Sequence, residues 1–222
     1  MDRLYARFVG PGDLAFDIGA HVGDRVGSLR RLGARVVAAE PQPALVRTLR
    51  LLYGRDGDVL IAPVAVGARE GEIELHLNLA NPTVSTASPA FIAAAASATG
   101  WRGQRWERTL RVRQTTLDAL IARHGEPAFC KIDVEGLEDQ VLAGLSRPIA
   151  ALSFEFTTIQ RGVARRALTA LEGIGHYRFN AALGESMRLA HGHWLDAGAI
   201  QAWLDALPDA ANSGDIYAVR RG

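Results

Sequence analysis

A short apolar run, Leu14 to Ile18, ends at Gly19, and Val22, Val26 and Leu29 follow at helical spacing until Gly33 stops them. That order is strand, glycine turn and helix, the opening unit of an α/β chain. The unit then recurs. Val36 to Ala39 reads as a second strand closed by Glu40-Pro41, Leu45, Leu49 and Leu52 form one helical face up to Gly54, and Val59 to Val66 reads as a third strand. Strands alternating with helices of about ten residues predict a parallel sheet covered by helices on both faces.

The next stretch breaks the rhythm. Ile73, Leu75, Leu77 and Leu79 alternate with Glu74, His76 and Asn78 in the period of a half-exposed strand. Pro89 opens an alanine-rich helical segment, Phe91 to Ala98, and Leu110 and Val112 alternate with Arg111 and Arg113 as a returning strand. Residues 72 to 114 are therefore expected to form an inserted hairpin and helix lid. Alternation resumes with a helix over Thr116 to His124, the strand Ala128 to Asp133, a helix carrying Leu137, Val141 and Leu145, and the strand Ala151 to Phe156. A helix through Ala164, Leu168 and Leu171, a strand near Tyr177 to Asn180, a helix with Ile200, Trp203 and Leu204, and a final strand Ile216 to Val219 complete the order. No linker or charge run divides the 222 residues, so residues 1–222 are expected to be a single domain with one insertion.

Charge narrows the partners. With 25 basic and 24 acidic residues the net charge is +1, and no nucleic-acid partner is expected. The single cysteine, Cys130, excludes an internal disulfide and a multi-cysteine zinc cluster. No apolar run near the start has signal-peptide length, and none reaches the roughly 18 residues of a membrane span, so a cytoplasmic protein without a membrane partner is expected. The basic residues are almost all arginine, and Lys131 is the only lysine.

The segment Asp17-Ile18-Gly19-Ala20-His21-Val22-Gly23 places a carboxylate at the end of the first strand, where it can hold a cationic amine such as that of S-adenosylmethionine. Its glycines let the backbone turn and a ligand come close. A dinucleotide-binding turn would want glycine where Asp17 stands, and a carboxylate there opposes a pyrophosphate. Glu40 follows Asp17 by 23 positions, the separation at which an acid can bond both ribose hydroxyls of an adenosine ligand. Ala65 and Val66, within Ala62 to Gly67, end the third strand in the small apolar residues that an adenine slot needs. The cofactor candidates are Asp17, Gly19, Ala20, His21, Gly23, Glu40, Pro41, Ala65, Val66 and Asp133.

The most charged strand end is Lys131-Ile132-Asp133-Val134-Glu135-Gly136-Leu137-Glu138, which follows the apolar Phe129-Cys130. Open parallel sheets bind ligands at that edge, and burying Lys131, Asp133 and Glu135 there is costly unless they pair or work. Together, Asp17-x-Gly19-x-x-x-Gly23, Glu40-Pro41, Ala65-Val66-Gly67 and Lys131-Ile132-Asp133-Val134-Glu135-Gly136-x-Glu138 resemble the FkbM family of methyltransferases, in order and in spacing, from about Leu14 to Phe156. Asn212 to Val219 resembles that family's last strand. The resemblance implies a Rossmann-like class I methyltransferase whose seven-stranded, mostly parallel sheet ends in an antiparallel strand. It further implies S-adenosylmethionine over the first two strand ends and O-methylation of a sugar, glycan or secondary-metabolite hydroxyl.

Methyl transfer from a sulfonium is an in-line displacement, so one base and a good alignment suffice. Asp133 is the first candidate for base or acceptor-orienting group, Glu135 the next, and His21 a further one. Lys131 shares a strand face with Asp133 and is expected to pair with a carboxylate or touch the substrate. On the acceptor side, Glu155 at the next strand end and the lid residues Trp101, Arg105 and Trp106 combine charge with flat apolar faces, which suits a sugar or an anionic acceptor. The sequence lacks the regularly spaced histidine–carboxylate set that fixes metal geometry, and no metal is expected. Two rival readings stand beside this one: a nicotinamide-dependent oxidoreductase or epimerase, and a non-catalytic S-adenosylmethionine-binding module.

Overall fold

The structure is a computed structural model and describes residues 1–221. The strands are β1 (Leu14–Ile18), β2 (Arg35–Ala39), β3 (Val59–Ala62), β4 (Ala65–Val66), β5 (Gly71–Leu77), β6 (Arg108–Thr115), β7 (Phe129–Ile132), β8 (Ala151–Thr157), β9 (Tyr177–Leu183) and β10 (Ser213–Arg220). The α-helices are α1 (Asp2–Tyr5), α2 (Asp24–Arg31), α3 (Pro43–Tyr53), α4 (Pro89–Ser97), α5 (Leu117–His124), α6 (Glu138–Ala143), α7 (Arg161–Ile174) and α8 (Ala197–Ala206).

Seven strands form one sheet in the order β3-β2-β1-β7-β8-β10-β9. β1 pairs in parallel with β2 and β7, β2 with β3, and β7 with β8, whereas β10 runs antiparallel to both β8 and β9. This is the Rossmann-like class I arrangement, with its last strand reversed. β1 and β7 are buried along their whole length because each has a strand on either side and a layer on either face. Phe16, Ile18, Cys130, Ile132, Leu152, Phe154 and Ile216 meet α5 to α8 on one face through Leu120, Val141, Leu171 and Ile200. Ala15, Val36, Ala38, Phe129 and Tyr217 meet α1 to α3 on the other, through Tyr5, Val26, Leu29 and Leu49.

Two features depart from the sequence expectation. The third strand is not continuous to Val66: β3 stops at Ala62, and Ala65–Val66 leaves for a second sheet of order β4-β6-β5. Pro63 lies at the break and has no N–H to give a ladder. On α3 the buried face is Leu45, Val46 and Leu49, joined by the half-buried Tyr53, while Leu52 is 59% exposed. Gly23 makes room for the Tyr53 ring and its carbonyl accepts a 2.8 Å bond from the Tyr53 hydroxyl, which turns that aromatic inward in place of Leu52.

In the second sheet β4 pairs in parallel with β6, and β5 pairs antiparallel with β6 from Gly71↔Gln114 to Leu77↔Arg108. Between β5 and β6 lies α4, started by Pro89 and capped by Ser88, whose Oγ accepts from the Phe91 N–H at 3.1 Å. Phe91 is fully buried, with Trp101 and Trp106 edge-on to its ring at 5.1 and 6.4 Å. No helix among the described residues is long and apolar enough to cross a membrane.

Candidate active site

A cavity of about 380 Å³ opens where β1, β2, β7 and β8 end, with the second sheet as its far wall. Carboxyl ends of parallel strands, with their peptide dipoles and following turns, are where open α/β sheets take ligands. Asp17, Gly19, Ala20, His21, Glu40, Pro41, Ala65, Val66, Lys131, Asp133, Glu135, Glu155 and Trp101 all line it.

At the β1 end, Asp17 is 2% exposed and its Oδ2 has no hydrogen-bond partner. Burial pushes its carboxyl up to about 7, against the pull of Lys131 and Arg25. Glu40 is likewise buried and raised to about 7, although its carboxylate accepts the His21 N–H at 2.9 Å and the Gln42 N–H at 2.8 Å. Those two bonds fix the carboxylate across the turn while leaving lone pairs on both oxygens. His21 holds a left-handed backbone, φ 50°, and burial lowers its imidazole pKa, so the ring is a neutral acceptor at neutral pH. Gly19 lines the cavity and also serves a packing purpose. At φ 83° a Cβ there would sit 1.7 Å from the Asp133 carbonyl oxygen, so the glycine lets the β1 turn lie against the end of β7. Gly23 does not line the cavity.

At the β7 end, Lys131 is 1% exposed and donates to Asp215 Oδ1 at 2.7 Å, Asp133 Oδ2 at 3.1 Å and the Ile132 carbonyl at 3.4 Å. Its three protons are thereby used inside the protein, which keeps it from reaching a substrate. Burial disfavours the ammonium, but the two carboxylates outweigh that and raise its pKa well above the ordinary value. Asp133 shows the converse: burial raises it, and Lys131 more than offsets this, holding the carboxyl below the usual range. The Asp133 side chain is 27% exposed, toward the cavity. Carboxyl oxygens of Asp133, Glu135 and Glu155 lie within 4.8 Å of one another, close enough for a shared proton or a cation. Burial first, then the charge of Asp133, pushes Glu135 and Glu155 well above the ordinary glutamate value.

Glu135 has φ 57°, and its carbonyl accepts a 2.6 Å bond from Thr86 of the insertion. Phe91 packs where a Cβ on Gly136 would stand, 2.9 Å from that position. The insertion is thus fastened to the carboxyl-rich turn from both sides. Of the residues assigned to the acceptor side, Glu155 and Trp101 reach the cavity. Arg105 is exposed elsewhere, and the Trp106 indole donates to the Val84 carbonyl at 2.9 Å and packs on Phe91.

Two residues outside the sequence-derived set shape the site. Glu138 is buried and its Oε1 accepts from the Val134 and Gly136 N–H groups, closing the turn that presents Glu135. Asp215 anchors Lys131 from β10. A lone acid in the apolar strand Ile216 to Val219 and its flank was the available signal, but the strand order that brings it beside Lys131 is not written in spacing.

A family model described as the methyltransferase FkbM domain matches residues 17–183. The chain belongs to the FkbM methyltransferase family. Its matched span runs from Asp17 to Leu183, so every cavity carboxylate named above falls inside the FkbM domain and Asp215 falls beyond it. Membership sets aside the nicotinamide reading. Curated protein sequences give no match to the chain. Among solved structures, the FkbM chain shares its fold with a precorrin-6y C5,15-methyltransferase from Geobacter metallireducens, with a TM-score of 0.53, 11% identity, and coverage of 98% of this chain and 85% of that one. Fibrillarin from Aeropyrum pernix, solved with S-adenosylmethionine, gives a TM-score of 0.52 at 11% identity over 96% and 68% of the two chains. A putative rRNA methylase from Clostridium thermocellum gives 0.51 at 7% identity over 100% and 93%.

Proposed function

We propose that this FkbM methyltransferase moves the methyl group of S-adenosylmethionine onto a hydroxyl of an uncharged, polyhydroxylated acceptor such as a sugar, glycan or secondary metabolite. The observation that carries the proposal is the unpartnered, buried Oδ2 of Asp17, a residue in the cavity wall, which costs free energy until a cation meets it. The amine of the donor is such a cation. Glu40, held by two backbone N–H groups, suits the ribose hydroxyls, and Val64, Ala65 and Val66 offer the apolar wall for adenine. Bound there, S-adenosylmethionine supplies an activated methyl group on a sulfonium.

What the chain's own residues supply is orientation and a place for the proton. Asp133, kept ionised by Lys131, accepts the hydrogen bond of the acceptor hydroxyl and aims its oxygen. The Glu135–Glu155 pair, raised above the ordinary glutamate value by burial and by Asp133 and within reach of it, receives the proton released as the oxygen becomes an ether. Carboxyl groups on that side disfavour an anionic acceptor, and the insertion of residues 72–114 acts as the lid, with Trp101 presenting a flat face to a sugar ring.

Calorimetric titration of S-adenosylmethionine into the wild type, Asp17→Ala and Glu40→Ala tests the reading. Micromolar binding lost in both variants is the expected result. Equal affinity in all three proteins overturns the assignment of these acids.

A further inference from the structure

A second cavity, of about 610 Å³, lies on the face covered by α1, between that helix and the segment joining β9 to α8. Arg3 and Arg7, one turn apart at the start of the chain, line one side of it, and Arg188, His191 and His193 line the other. No aspartate or glutamate lines this groove. The nearby acids are turned elsewhere: Asp2 binds Arg31 and Ser28, and Glu185 binds Arg25 at 2.7 Å.

The three arginines differ from those of the neighbouring helix α2. Arg25, Arg30 and Arg31 each hold a carboxylate, whereas the side chains of Arg3, Arg7 and Arg188 make no hydrogen bond or ion pair among the described residues. Like charges gathered in a concave site repel, and an anion relieves that. The groove is also held in place. Asn180, 1% exposed on β9, donates to the His191 and His193 carbonyls at 2.9 and 3.2 Å and accepts the His191 N–H at 3.1 Å. Arg178 donates to the Trp194 carbonyl at 3.2 Å, and Trp194 stands edge-on to Phe8 at 6.4 Å. His191 Nε2 is buried without a partner. Met187, in the turn between this groove and the first cavity, keeps φ 51°, a conformation a non-glycine residue holds only when its surroundings impose it.

We infer that this groove binds a small soluble molecule carrying a diphosphate, with Arg3, Arg7 and Arg188 converging on the phosphate oxygens. Guanidinium forks match phosphate geometry, and the volume admits more than a single phosphate. The site is separate from the carboxyl-lined cavity, whose charge has the opposite sign, so a ligand here neither replaces the methyl donor nor competes with it.

The test is calorimetric titration of pyrophosphate at low salt, with sodium chloride of equal ionic strength as the blank, into the wild type and the Arg7→Gln, Arg188→Gln and Arg105→Gln variants. All three positions are exposed, so the variants fold. Expected are a Kd near about 0.1 mM for the wild type and Arg105→Gln, and roughly tenfold weakening in Arg7→Gln and Arg188→Gln. Affinity for S-adenosylmethionine stays unchanged throughout. Heats equal to the blank, or equal weakening by all three substitutions, overturn the proposal. A parallel arm uses vesicles of an anionic phospholipid, and binding to vesicles without binding to pyrophosphate overturns the small-molecule assignment.

Discussion

Lys131 on β7 donates a 2.7 Å hydrogen bond to Asp215 on β10, reaching across β8, where the small Ser153 sits in register with Lys131 and leaves the space open. Both partners are buried, at 1% and 5% exposure, so neither charge has water to fall back on. Asp215→Asn therefore leaves a buried ammonium with half its compensation and costs about 3–5 kcal/mol. Urea unfolding measures it. Lys131→Met combined with Asp215→Leu recovers most of that loss, and a double variant no more stable than Asp215→Asn would contradict the pairing as its cause.

The free Asp17 carboxyl sits near 7, above its unfolded value of 3.8, so the folded protein binds the extra proton in between. The stability this gives is complete at low pH and is lost as pH rises toward about 7, by about 1.4 kcal/mol per pH unit relative to Asp17→Asn. Donor binding runs the other way. A cationic amine needs the ionised carboxylate, so affinity for S-adenosylmethionine falls by at least about tenfold per pH unit below 7 in the wild type, and less steeply in Asp17→Asn, where Glu40 alone still titrates near 7. Calorimetry from pH 5.5 to 8 reads the slope.

Asp133→Asn keeps the side chain's shape and removes its charge. Turnover with an accepted hydroxyl substrate falls about 10²- to 10⁴-fold while donor affinity holds. Unchanged turnover removes Asp133 from the mechanism.

Gly19→Ala forces the β1 turn off the Asp133 carbonyl, since no rotamer relieves a backbone clash at 1.7 Å. A loss of about 4 kcal/mol or more in urea unfolding is expected, with donor binding reduced in the fraction that folds.

Phe91→Ala empties the centre of the cluster formed with Trp101 and Trp106 and removes the packing on Gly136, a loss of about 3–5 kcal/mol that loosens the insertion and its hold on the β7 turn. Limited proteolysis should then cut within residues 72–114 while the seven-stranded sheet stays protected. Cleavage spread evenly over the chain would show the insertion and the sheet to be one cooperative unit.

Most of the large sheet is legible along the chain because each strand is a short apolar run closed by glycine, proline or charge. The apolar run Leu14–Ile18 coincides with β1 to the residue. What failed did so for local reasons. Pro63 parts β4 from β3 although both are apolar, and Tyr53, admitted by Gly23, takes the buried place that spacing gave to Leu52. Asp17, Glu40, Asp133, Glu135 and Glu155 all reach one cavity, as charges at successive strand ends should. Asp215 escaped because its partner lies two strands away in space and 84 residues away in sequence. Composition could not tell which tryptophans and arginines of the insertion look inward: Trp101 does, while Trp106 packs the insertion's own interior.

The position of β10 also sets the order in which the charges around Lys131 can be paired during synthesis. Residues 1–212 contain every carboxylate of the cavity, yet a nascent chain of that length holds Lys131 with one carboxylate instead of two and has an open gap between β8 and β9. Only after residues 213–220 leave the ribosome can that strand slot into the gap and neutralise the ammonium. A strand added late thus sets the charge balance of the site, because it delivers the second carboxylate to the one buried ammonium.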